Sequence, residues 1–167
     1  YGKRSDIIKN IIYDNTGAGI LITSSAKSHR ILENSIYNNG NVGDDPTGQI
    51  GIDLLASKDN HKVGKSPFVT LNDMEDFDIG GNGLLNFPVL DSAIVKEGNL
   101  LLTGWTREAS GLEFYIADDS TKSFPQGKTY LFSFTEGSTE DLDSTASTYG
   151  PAVHGTTVGN DSTARFR

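Results

Sequence analysis

The chain has 167 residues, 35% of them hydrophobic, and a formal charge of -8 from 22 acidic and 14 basic side chains. That length can bury a core in one domain or two small ones, and the acidic balance argues against nucleic acid, whose binding asks for a basic face. The lack of cysteine excludes disulfides and thiolate metal sites, and no apolar run approaches the length of a membrane span. Nineteen glycines among many Asn and Asp predict short strands joined by turns. Tyr1 is no initiator, no signal peptide follows it, and Arg167 falls inside the strand-like run Thr163-Ala164-Arg165-Phe166-Arg167, so a piece of a longer protein is expected.

The first third repeats itself. IIKNIIYDN at 7–15 aligns with ILENSIYNN at 31–39, with Ile7/Ile31, Asn10/Asn34, Ile12/Ile36, Tyr13/Tyr37 and Asn15/Asn39 identical at an offset of 24. Gly19-Ile20-Leu21-Ile22 is answered by Gly51-Ile52-Asp53-Leu54 at an offset of 32, the extra residues lying around Gly40 to Gln49. A period near 24 with short strands broken by Asn and Gly fits coils of a parallel β-helix stacked at about 4.8 Å; leucine is too sparse for a leucine-rich repeat. Ile12 and Ile36, and Ile20 and Ile52, are then expected above one another in the core. Asn10 and Asn34 are expected to stack at a turn, Tyr13 and Tyr37 in a ladder.

Next comes an acidic stretch, Leu71 to Leu90. Asn72, Asp73, Asp76, Asp78, Gly80 and Asn82 place oxygens at close spacing, with Gly80 free to turn sharply. Hard cations take six to eight such oxygens, so calcium is the expected cofactor. Three carboxylates within six residues also repel one another unless a cation or solvent intervenes. A solvated acidic loop is the alternative reading of the same residues. Asp44-Asp45 and Asp141 with Asp143 are weaker acidic pairs of the same kind. Phe87 and Pro88 are expected to plug the open end of the coils.

Beyond Leu90 the period is lost. Asn99–Trp105, Gly111–Ala117 and Lys128–Phe134 read as strands, and Glu136–Tyr149 as a long polar loop. Trp105, the one tryptophan, is either core or a platform on which a sugar stacks. No catalytic residue stands out: Asp53 faces outward opposite Leu21 rather than a second acid, and His29, His61 and His154 fall in three separate loops.

GIDLL at 51–55 and VTLNDMEDFDIGGNGLLNFPVL at 69–90, with LEFYIADD at 112–119, GKTYLFSFTEGS at 127–138, YGPA at 149–152 and TARFR at 163–167, resemble segments of right-handed parallel β-helix proteins of the pectate-lyase-like and bacterial surface kind. The loop at 56–68 is longer than that resemblance gives. The resemblance implies an all-β chain: last coils of a right-handed parallel β-helix at 1–68, a calcium-binding junction at 69–90, and a small antiparallel β-sandwich at 91–167. It implies a non-enzymatic structural or adhesive module, extracellular or on a bacterial cell surface, meeting a polysaccharide, another surface component or further domains of its own chain. The alternatives are a carbohydrate-binding module using Trp105, or the tail of a polysaccharide lyase or hydrolase with its active site on other coils.

Overall fold

A computed structural model describes residues 4–119 and 124–167, so Tyr1 lies outside the described part. The chain is all-β, and its helical turns among the described residues are two short 3-10 segments, Met74–Asp76 and Gly81–Leu84. Among the described residues no helix is long and apolar enough to cross a membrane. It forms two compact units. The first comprises 1–70, 78–84 and 113–132; the second comprises 71–77, 85–112 and 133–167. The stretch at 69–90 is thus shared between them.

In the first unit lie β1 (Asp6–Ile8), β2 (Ile11–Tyr13), β3 (Ile20–Ile22), β4 (Arg30–Leu32), β5 (Ser35–Tyr37) and β6 (Ile52–Leu54). They pair in parallel as β1–β4, β2–β5 and β3–β6, putting Ile7 beside Ile31, Ile12 beside Ile36 and Ile20 beside Ile52. Each turn after β1, β2, β4 and β5 is built alike. Lys9, Asp14, Glu33 and Asn38 take positive φ, and an asparagine follows each. The second asparagine of each repeat pair holds the first: Asn34 Oδ1 accepts from Asn10 N at 2.9 Å, and Asn39 Oδ1 from Asn15 Nδ2 at 2.7 Å. Asn34 Nδ2 and Asn39 Nδ2 then donate to Ile7 O and Ile12 O, so turn carbonyls are satisfied by side chains.

Tyr13 and Tyr37 stack with centroids 5.0 Å apart and planes 10° from parallel, and the Lys128 ammonium lies over the Tyr37 ring. Such a pair contributes about 1 kcal/mol beyond its buried area. A double-mutant cycle with Tyr13→Leu and Tyr37→Leu, read in urea unfolding, is expected to return a coupling of about that size. Additive losses would show that the rings merely lie side by side.

The expected β-helix is not what these residues form. The three parallel pairs are separate two-stranded sheets of three-residue strands, with no third layer on any of them among the described residues. Ile20, Ile22 and Ile36 make the core, with Ile7, Ile12, Ala26, Ile31 and Leu54 against it. Ile52, expected inside, is 38% exposed, and Asp53, expected outside, is buried.

The remaining strands are β7 (Val89–Lys96), β8 (Asn99–Thr106), β9 (Gly111–Ala117), β10 (Gly127–Thr135), β11 (Ala146–Tyr149), β12 (Ala152–Val153), β13 (Thr156–Thr157) and β14 (Asp161–Phe166). In the second unit β7, β8, β14 and β11 form one four-stranded antiparallel sheet in the order β11-β14-β8-β7. β7 and β8 meet at Glu97-Gly98, both at positive φ, the backbone a tight hairpin requires. Of the expected sandwich the structure thus gives one four-stranded antiparallel sheet; among the described residues β9 and β10 form a separate two-stranded sheet. Phe87, expected to plug a solenoid, instead packs with Trp105 and Val153 against the buried Val89, Tyr149 and Val158.

Candidate functional site

The acidic stretch enters the second unit at Leu71. Asn72 is buried, and its side chain is a strap: Nδ2 donates to Phe87 O at 2.8 Å and to the Tyr149 hydroxyl at 2.6 Å, while Oδ1 accepts from Phe87 N at 2.9 Å. Both amide hydrogens and the amide oxygen are thus engaged within the fold. Burial pushes the Tyr149 hydroxyl above its usual range, and the Asn72 bond works against that shift.

Asp73 and Asp76 flank a turn in which Glu75 and Asp76 both take positive φ, at 66° and 57°. Two successive side-chain-bearing residues in that region cost on the order of 1–2 kcal/mol each. Asn86 is what holds the turn. Its Oδ1 accepts from Asp73 N at 3.1 Å, its Nδ2 donates to Asp73 O at 2.7 Å, and its backbone N donates to Asp76 Oδ1 at 3.1 Å. The same Nδ2 reaches Asp161 Oδ2 at 2.9 Å. Asp161, at the start of β14, is 1% exposed; it also accepts from Ser162 N and, at 3.4 Å, from Glu75 N, and pairs with Arg107 Nη1 at 3.3 Å.

The Asp76 and Asp161 carboxylates thus bond Asn86, the Asp73 carboxylate bears on Asp76, and one guanidinium, Arg107, pairs with Asp161. Burial raises the Asp76 carboxyl above the ordinary range, with the Asp73 and Asp161 charges adding to it, while the Asn86 amide and Arg107 oppose the shift. Asp73 Oδ1 is buried and has no hydrogen-bond partner, which costs a carboxylate several kcal/mol in order of magnitude.

The six residues of the sequence-predicted set are therefore divided. Asp73 and Asp76 come together, joined by Asp161 and Asn86. Asn72 is spent on Phe87 and Tyr149. Asp78, Gly80 and Asn82 belong to the first unit. There Asp78 is exposed, Gly80 bridges to Ala56, and Asn82 brackets the His29 backbone, accepting from His29 N at 3.0 Å and donating to His29 O at 2.8 Å. Among the described residues no three His, Cys, Asp or Glu side chains are disposed to hold a metal by themselves, so a hard cation here would draw most of its ligands from backbone and water, as such ions commonly do.

Trp105 is half-buried. The Arg165 guanidinium sits over its ring at 4.7 Å, Tyr149 lies tilted beside it at 5.7 Å, and Nε1 donates to Ser147 Oγ at 3.2 Å. Asp141 and Asp143 are occupied by their own loop: Asp141 accepts from Gly137 N, Asp143 N and Arg167 N, and Asp143 from Thr145.

Comparison with protein-family descriptions, with curated proteins and with solved structures gives no match. The resemblance to pectate-lyase-like β-helix and bacterial surface proteins accordingly does not stand. No family supports it, and the stacked coils it implies are absent from the described residues. GIDLL and NFPVL are the ordinary chemistry of a short apolar strand beside a turn.

Proposed function

We propose that this chain is a non-catalytic structural module of an extracellular or cell-surface protein, ordered by calcium at Asp73 and Asp76 in its second unit. The observation that carries the reading is the buried, unpartnered Asp73 Oδ1 beside a second carboxylate raised by burial and like charge. Asp73 and Asp76 would hold the ion with backbone and water oxygens, Asp161 would add negative charge, and Asn86 would position the turn. Calcium then supplies the positive charge the cluster lacks and offsets the strain at Glu75 and Asp76. Extracellular sites of modest charge bind at about 10⁻⁴–10⁻³ M, so the turn is ordered where calcium is abundant. A scaffold or adhesive surface facing polysaccharide or another surface component is the role that suits such a device.

Trp105 is the one tryptophan and lies in this unit, so its fluorescence reports the unit's unfolding. At 10 mM calcium and a Kd of about 1 mM, ligand linkage gives roughly 1.4 kcal/mol, a rise of roughly 6–11 °C in the Tm of a unit of this size over EDTA. The rise is expected to vanish in Asp73→Ala/Asp76→Ala. Superimposable fluorescence melts in calcium and EDTA would remove calcium from the reading.

A further inference from the structure

In the first unit the loop at 56–68 is hydrogen-bonded to itself. Asp59 N donates to Ala56 O and Ala56 N to Asp59 Oδ2; Val63 N and Gly64 N donate to Asn60 O, Lys62 N to Asn60 Oδ1 and Phe68 N to Lys65 O. At its base Ala56 bridges to Gly80. Among the described residues no hydrogen bond or ion pair runs from 57–68 to the rest of the unit. Such a segment can lift as a piece, because no polar contact to its neighbours has to break. What it lies on is Asp53, in the middle of β6, which is 2% exposed with an Oδ2 that is buried and has no hydrogen-bond partner. Gly64 is the point of contact: a Cβ there would overlap Oδ2 and press on the Phe68 ring, and its φ of +70° suits glycine. The groups around the acid offer it no positive charge. Asp59 adds a negative one; Lys58, His61, Lys62 and Lys65 of the loop are exposed and form no ion pair with it, and β3 sets Leu21 beside it.

We infer that the loop at 56–68 is a proton-held flap, closed over Asp53 while that carboxyl keeps its proton and loosened when the proton passes to solvent. A neutral carboxyl fits beneath Gly64 and Phe68 at little cost. A carboxylate there has lost its water and gained no donor or cation, and lifting the flap is the way to hydrate it. Closed, the acid holds its proton up to about 6, through burial and then the Asp59 charge; open, it returns to the ordinary 3.8. Opening therefore becomes easier as pH rises between those two values and gains nothing further above them. The flap thus answers to the mildly acidic range, and its lifting uncovers the outward side of β6 at Asp53. It shares no residue with the Asp73–Asp76 cluster and lies in the other unit, so it does not depend on calcium.

The test is hydrogen exchange of the full chain in EDTA at pH 4.5 and pH 7, read by mass spectrometry and corrected for the intrinsic exchange rate at each pH. The hydrogen-bonded amides of Asp59, Val63, Gly64 and Phe68 report the flap, and those of β3 report opening of the whole unit. In the native chain the opening equilibrium of the flap is expected to rise roughly twentyfold from the lower pH to the higher, with β3 still better protected than the flap. Asp53→Asn, which keeps the shape of the protonated acid and carries no charge, is expected to remove the rise and leave the flap protected at both values. Asp59→Asn keeps an oxygen for the Ala56 amide and is expected to shrink the rise, with far-UV circular dichroism as the check on folding. Gly64→Ala is expected to prop the flap open at both values while β3 stays protected. Flap protection that does not change with pH in the native chain, or a rise that persists in Asp53→Asn, overturns the inference.

Discussion

Asn39→Ala is expected to cost the first unit about 4 kcal/mol, an effect at the upper end for a single polar side chain. Asn39 is 0% exposed. Its Oδ1 accepts from Asn15 N and Asn15 Nδ2, and its Nδ2 donates to Ile12 O, Tyr37 O and Gln126 Oε1, at 2.7–3.3 Å. Alanine removes all of these at once. Asn15 is exposed and recovers water, but the carbonyls of Ile12 and Tyr37 lose a donor where little solvent reaches, at about 1–3 kcal/mol each. Collapse onto the gap is opposed by Gly19, whose tight approach to Asn39 is part of the same packing. Asn34→Ala, at the matching position of the first turn but without a glutamine partner, is expected to cost about 3 kcal/mol. Urea unfolding followed by far-UV circular dichroism measures both. A loss below about 1 kcal/mol for Asn39→Ala would mean that water replaces the amide and that the buried turn is not held by it.

Those asparagines were legible because they recur. Identity at a fixed offset states the register directly, which is why Ile12 beside Ile36, Asn10 against Asn34 and Tyr13 on Tyr37 follow from the letters alone. What two copies cannot state is whether more layers exist, and there the solenoid reading overreached. Burial was misread where a loop decides it. Strand alternation sends Asp53 outward, but the loop at 56–68 covers it, and that loop has no periodicity to announce its path. The candidate site was legible in half. Asp73 and Asp76 are close in sequence, whereas Asp161 joins them through Asn86 across 75 residues of chain, and Gln126 reaches Asn39 across 87. Such meetings are set by tertiary packing, which no local spacing encodes. Asp161 stands at the head of a strand that also carries Ser162, Thr163 and Arg165, so nothing in its neighbours set it apart.

Asp53 also makes stability depend on pH, with a sign that it shares with Asp76 and that is opposite to that of Asp91 and Asp143. Burial, then the Asp59 charge, pushes its carboxyl from 3.8 up to about 6. Folding therefore takes up a proton between those values. The contribution is fully present below about pH 4 and is lost as pH rises through about 6. In metal-free solution the loss approaches 3 kcal/mol, from about two pKa units at 1.36 kcal/mol each. Asp91 and Asp143 run the other way, held below the ordinary range by the Arg165 and Thr145 hydrogen bonds respectively, so their stabilisation is lost on acidification. The total profile mixes both signs, and the difference between the native chain and Asp53→Asn isolates one of them. That difference is expected to shift by about 3 kcal/mol in favour of the variant between pH 4 and pH 7.5, whatever its offset, when urea unfolding is measured in EDTA. A pH-independent difference would mean that Asp53 titrates as it does in the unfolded chain, which requires that the loop open to water.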